Sequence, residues 1–228
     1  MSHTIIIDGN TFPIIIRKHP RSRRMVIRYQ PIQRKIGLTL PRYISVKQGL
    51  HFVEEKRSWL TRQIAEHQSD VPLMDGQVIP VLGKDYTLCH VGGRGVVTME
   101  ENRIMIPGDN LFLKRRVLEW MKRELRKTIM QLANEKAECI GKRIGKISLR
   151  DTTSRWGSCN HNGNLSFSWR LLFAPFEVLD YVVSHEVAHI KHLDHSTAFW
   201  SAVESLCPDY QSYRDWLKTH GTTLYRFG

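Results

Sequence analysis

The stretch SHEVAHIKHLDHSTAFW, residues 184–200, places four of the chain's eleven histidines within eleven positions, with one glutamate among them. His185, Glu186 and His189 form the pattern H-E-x-x-H. On a helix, residues four apart share one face about 6 Å apart along the axis, so two imidazoles can converge on one ion. The glutamate beside the first histidine lies close enough to take a proton from a metal-bound water without itself being a ligand. Zinc lowers the pKa of such a water to roughly 7, which makes hydroxide available at neutral pH.

Composition alone produces H-E-x-x-H in a chain with these residue counts about 3 times in 100, so a third ligand is needed to make the case. His192 is on the same helical face, but roughly 10 Å along the axis from His185, too far for bonds of about 2 Å to one ion. His195 can swing back over the metal if the chain turns near Leu193–Asp194, with Asp194 capping the next helix. Requiring it as well lowers the chance to roughly 1 in 700. Three protein ligands with an open fourth position describe a catalytic zinc. The expected metal ligands are therefore His185, His189 and His195, with Glu186 as the catalytic base and His192 in a supporting or surface role.

Outward from this stretch the chain divides in two. Up to about residue 109, short β-rich runs alternate with turn signals: TIIID, FPIIIRK, RMVIRY and KIGLTLP, then VIPVLGKDYTLCHV, GVVTM and RIMIP. Between the two groups, SVKQGLHFVEEKRSWLTRQIAEH has helical spacing, with Ser45 as N-cap. From Asn110 a long amphipathic helix begins, with Leu118, Met121, Leu125 and Leu132 along its apolar stripe. Two strand-like runs, KISLRD and GNLSFSWRL, bracket TTSRWGSCNHN. A helix opened by Pro175 then runs to about Lys191. Two short helices close the chain. The expected architecture is α+β, with a basic β-rich part over 1–109 and a metal-site domain over 110–228.

The formal charge is +12, unevenly placed. Residues 1–47 hold ten Lys or Arg against one acid, residues 114–155 thirteen against five, and residues 161–228 five against seven. The basic surface favours anionic partners, nucleic acid among them, and lies on other segments than the histidines. No zinc-finger, RNP or helix-turn-helix pattern accompanies it. No apolar run reaches the roughly 20 residues of a membrane helix, so no membrane partner is expected. The four cysteines are scattered without a C-x-x-C pair, which fits reduced thiols in a cytoplasm.

Taken together, SRWGSC, GNLSFSWRLLFAP and LDYVVSHEVAHIKHLDHSTAFW resemble the YgjP-like metal-dependent hydrolases, bacterial proteins related to the SprT-like and WLM zinc peptidases. The resemblance is strongest over Ser148–Leu217, and a basic β-rich N-terminal part also belongs to that family's layout. Metzincins share the histidine spacing but have glycine where this chain has His192, and a methionine turn downstream; here the last methionine is Met130. The resemblance implies a gluzincin-like zincin core: an active-site helix, an adjacent helix giving the third ligand, and a small sheet with GNLSFSW as its edge strand beside the cleft. It implies His185, His189 and His195 on one Zn2+ ion and Glu186 as base.

Trp156 and Trp169 read as core aromatics of a hairpin. Arg155, Arg170 and Ser166 are candidate substrate-binding residues, the arginines for an anionic group or a developing oxyanion. Cys159 and His161 are weaker metal-ligand candidates. The first expectation is a zinc metallopeptidase. The alternative is a nucleoside-triphosphate pyrophosphohydrolase acting on a substrate such as UTP, which would bring its own Mg2+. No P-loop accompanies that reading. A third is a nucleic-acid-associated protein with a zinc site, as some SprT-like relatives are recruited to DNA. The intact Glu186 argues against a site that has lost its chemistry.

Overall fold

The computed structural model describes residues 3–67 and 71–227, and divides into two compact units, Met1–Ser69 and Asp70–Gly228. In the first unit, β1 (His3–Ile7) and β2 (Asn10–Lys18) form a hairpin, followed by β3 (Val26–Gln30), β4 (Lys35–Leu40), α1 (Val46–Glu55) and α2 (Arg57–His67). The hairpin turns on Asp8 and Gly9, both at positive φ. That matches the type I′ turn, whose twist suits the flanking strands. The sheet order is β1-β2-β4-β3, with β2 and β4 parallel and the other pairs antiparallel.

Alternation decides the faces of this sheet. Ile5, Ile7, Phe12, Ile14, Ile36, Leu38 and Leu40 are buried against Val53 of α1 and Leu60 and Ile64 of α2, while the residues between them face outward. Ser45 caps α1, as expected, and the structure adds a full capping box with Gln48. The single helix expected over 45–67 is broken at Lys56 into α1 and α2.

The second unit holds the rest. Strands β5 (Val78–Val81), β6 (Lys84–Gly92), β7 (Thr98–Glu100) and β8 (Arg103–Pro107) form a sheet in the order β5-β6-β8-β7. The long helix α3 (Leu113–Cys139) follows a single 3-10 turn. Its buried stripe is Leu113, Val117, Trp120, Met121, Leu125, Ile129, Ala133 and Ala137. Met121 and Leu125 are central to it, whereas the expected Leu118 and Leu132 lie half-buried at its margins. Leu88, Ile104 and Ile106 of the sheet share one apolar core with this stripe. The compact units therefore divide after Ser69 rather than at 109/110. The change of texture near Asn110 marks a change of secondary structure inside one core.

A second, three-stranded sheet of β9 (Ile147–Arg150), β10 (Gly157–Cys159) and β11 (Leu165–Ser168) is ordered β10-β11-β9. The central strand is β11, within GNLSFSW, so the expectation that this run is the edge strand is corrected. The parallel pairing of β11 with β9 covers one side of it and the antiparallel hairpin with β10 covers the other. The edges are β9 and β10, the latter drawn from the stretch expected to be a connection. Three helices complete the unit: α4 (Phe176–Ala188), α5 (Thr197–Leu206) and α6 (Tyr210–His220). Among the described residues, no helix is long and apolar enough to cross a membrane.

Arg170 ties the end of the chain to this sheet. Only 8% exposed, its guanidinium donates to both carboxylate oxygens of Asp151 at 2.8 and 3.2 Å and to the carbonyls of Phe227 at 2.8 Å and Tyr225 at 3.4 Å. Burial raises the Asp151 carboxyl, but the hydrogen bonds and charge of Arg170 outweigh it and hold the group below its ordinary pKa. Replacing Arg170 by methionine is expected to cost about 2–4 kcal/mol, less than a fully buried pair because Asp151 is half exposed. A carboxyl with a depressed folded pKa contributes stability above its unfolded pKa of about 4, and loses that contribution as pH falls through the folded value. Urea unfolding across the acid range should therefore show a gap between wild type and Arg170→Met that is wide at pH 6 and narrows below about pH 4.

Candidate active site

Helix α4 is apolar almost all round. Val178, Leu179, Tyr181, Val182, Val183, Val187 and Ala188 are all buried, as befits a helix at the centre of a core. Lys136 of α3 anchors it, with its ammonium 2.8 Å from Asp180 and donating to the Leu206 carbonyl at 2.9 Å. His185 and Glu186 lie in its last turn, and His189 is its C-cap residue rather than an interior one. The helix stops three residues before Lys191. The chain then turns back, and Ser196, not Asp194, caps α5 by accepting from the Phe199 N–H. Asp194 serves the turn itself, accepting from the Ser196 N–H at 3.4 Å.

This turn brings His195 to the motif. One ligand atom from each of His185, His189 and His195 lies within 4.8 Å of the others. The Nε2 atoms of His185 and His195 are 3.2 Å apart. Two nitrogens each about 2.0–2.1 Å from one tetrahedral ion stand about 3.4 Å apart, so this spacing fits a zinc-class ion. His189 Nδ1 lies 3.0 Å from the His192 carbonyl oxygen. A carbonyl only accepts, so Nδ1 carries the proton and Nε2 keeps its lone pair for a metal. The contribution of His192 is thus its backbone.

Burial pushes the His185 imidazole down to about 3, with His189 and His195 adding to the shift, and burial also lowers His189. Both are neutral at pH 7, the form that binds metal. The His185 Nδ1 is buried without a partner. These donors fit one divalent ion.

Glu186 is 6% exposed, and burial pushes its carboxyl up to about 8 while the charge of Arg155 pulls the other way. A divalent cation nearby favours the carboxylate in turn. Gly157 of β10 makes room for it. A Cβ at that position would stand 2.5–2.8 Å from the Glu186 carboxyl atoms, inside van der Waals contact. Cys159, two residues along the same strand, is a thiol raised to about 11 by burial and by the Glu186 charge. It is not part of the three-histidine group, and His161 is exposed.

The strand register places the other candidates. Ser166 pairs with Ser158 of β10 and Ser148 of β9, so it lies on the sheet face opposite the one where Gly157 meets Glu186. Arg170 is occupied by Asp151 and the chain end, and is not brought to the site. Arg155 is exposed, with its charge felt at Glu186. Trp169 is buried against Phe173, and Trp156 packs on Tyr225, both as core aromatics.

The residue that sequence reasoning missed is Phe199 of α5. Its fully buried ring stacks on His189 at 4.4 Å and meets His185 and His195 edge-on at 4.9 and 4.8 Å. Trp200 stands 5.7 Å from His185 and 5.8 Å from His195, and is itself stacked on Tyr210. The available signal was the spacing of Phe199 four residues after His195, one face of the helix expected to start at Asp194; in the structure His195 stands just before that helix and Phe199 in its first turn. Gly157 had a fainter one, an isolated glycine in a strand-like run, which often marks a close approach.

The sequence matches the profile of the YgjP-like family, described as a metallopeptidase domain, over residues 23–220. A solved structure, the metallopeptidase zymogen of Pyrococcus abyssi abylysin, aligns at 23% identity over 40% of this chain and 92% of its own, with a TM-score of 0.37. No curated protein matches the sequence.

Two substitutions separate the roles of the neighbouring histidines. His195→Ala is expected to weaken metal binding by more than about 100-fold, while His192→Ala, which keeps the backbone carbonyl, leaves it within a fewfold. Competition with a chromogenic chelator measures both.

Proposed function

The chain belongs to the YgjP-like metallopeptidase family, and on that premise we propose that it hydrolyses peptide bonds with a zinc ion held by His185, His189 and His195 and with Glu186 as general base. The observation that carries this reading is the convergence of three imidazoles beside a buried glutamate that faces an edge strand. We read the second unit as a gluzincin-like core, in which the connection to α5 brings the third ligand back to the active-site helix.

Zinc at this position supplies Lewis acidity, polarising a carbonyl and acidifying water. The chain's own residues do the rest. Glu186 takes a proton from the attacking water as its oxygen bonds to the scissile carbonyl carbon. It then delivers that proton to the amine nitrogen as the C–N bond breaks. Gly157 keeps the space in which the carboxyl does this. Strand β10, paired on one side only, offers main-chain groups to an extended substrate, so the peptide adds to the sheet beside Glu186. Arg155 adds positive charge near the developing oxyanion. The nucleotide reading rested partly on Arg170, which is engaged in structure.

Glu186→Gln should retain zinc and lose at least about 1,000-fold in cleavage of casein or a quenched peptide library. Wild-type activity should disappear on chelation and return with zinc. Release of pyrophosphate from UTP by the wild type, with no peptide cleavage, sinks the peptidase reading. In Gly157→Ala, a displacement of the carboxyl by about 1 Å should lower kcat roughly 100-fold with zinc content unchanged.

A further inference from the structure

The first unit carries a feature that peptide hydrolysis does not use. Residues 17–47 hold ten Lys or Arg and no acid. The fold gathers six of these cations at one end of the four-stranded sheet. Arg17 and Lys18 close β2, Arg21, Arg23 and Arg24 lie in the connection to β3, and Arg42 follows β4. All six are exposed.

The two connections are fastened to each other. The Tyr43 hydroxyl donates to the Arg23 carbonyl at 3.0 Å, and the Lys18 ammonium donates to the Arg42 carbonyl at 3.4 Å. Tyr43 itself is 75% exposed. Its ring is thus pinned at the hydroxyl to the Arg23 backbone and open to solvent, with Arg42 next to it in sequence. Beside it, Met25, Ile44 and Phe52 floor an open apolar groove of about 460 Å³, with Lys47 and Gln48 on its lining.

An exposed aromatic ring held beside cations that form no ion pair among the described residues suits a polyanion that also presents flat apolar rings. Single-stranded nucleic acid has both: phosphates for the cations and bases to stack on the tyrosine or enter the groove. A duplex hides its base faces, and a lipid headgroup has none. We infer that this end of the first unit binds single-stranded nucleic acid, with Tyr43 stacking a base and Arg17, Lys18, Arg21, Arg23, Arg24 and Arg42 holding phosphates.

Fluorescence anisotropy tests this on the full chain. The probes are a labelled 20-nucleotide single strand of mixed sequence, as DNA and as RNA, the corresponding blunt duplex, and phosphatidylserine vesicles as competitor. The single strand should bind, and log affinity should fall with log salt at a slope of about −0.7 per phosphate held. Tyr43→Ala should weaken binding roughly tenfold. Tyr43→Phe, which loses the hydroxyl bond but keeps the ring, should bind as wild type, so a loss from loop disorder alone is distinguishable. Arg23→Ala with Arg24→Ala should reduce the salt slope by about 1.4. Arg115→Ala, an exposed cation of α3, should change nothing. The inference is overturned by no binding of either single strand at low salt, by wild-type affinity in Tyr43→Ala, by equal or tighter binding of the duplex, by displacement at low vesicle concentration, or by an equal loss in Arg115→Ala.

Discussion

The second unit depends on one constraint: its most buried helix must carry its most polar cluster. Helix α4 is packed on nearly every side, yet its last turn holds His185 and Glu186. Burying such groups is tolerable only when each is neutral, paired or aimed at an ion. The structure meets that condition locally. The helix ends at His189, so its C-terminal turn opens just where the polar residues begin. The following turn returns His195 to the same spot, and the His192 carbonyl fixes the proton of His189. Burial then keeps His185 and His189 in the neutral form and Glu186 reluctant to ionise. The same desolvation that threatens the helix prepares it for a cation.

What was readable in the sequence, and what was not, follows from the range of the interactions. The spacing of His185, Glu186 and His189 is local, and so is the N-cap at Ser45; both were legible. The faces of β1 and β2 were not, because Ile5–Ile7 and Ile14–Ile16 are unbroken apolar runs in which Ile6 and Ile15 turn out exposed. His195 needed only a tight turn, and the sequence showed its position while misassigning the cap. Strand order is not local. Nothing in LSFS reveals that β9 pairs on its far side, so the edge passed to GSC, whose three residues are too few for a periodic signal. The role of Arg170 was equally hidden, because its partners, Asp151 and the carbonyls near residue 227, are 19 and more than 50 positions away. An arginine near a metal motif invites a substrate role, and only the folded chain shows that it is engaged elsewhere. The change of texture at 109/110 falls inside one core for a related reason: composition changes with secondary structure, whereas a core is shared by whatever packs into it.

The fold also separates two kinds of surface chemistry along the chain. The near-neutral segment after residue 161 forms the histidine site and its aromatic wall, while the densest run of cations lies in another unit with its own core. Each set of charges can therefore vary without disturbing the other's packing.

Phe199 has a consequence for how the site can change. One ring touches all three imidazoles, stacked on one and edge-on to two. A smaller residue there would release the three histidines together, and a larger one would displace them together. Substitutions at 199 and at any of the three histidines should be strongly non-additive. The position works as a single hinge-pin for the three imidazoles, so drift at 199 would have to be accompanied by compensating change in α5 rather than by piecemeal adjustment of the histidines.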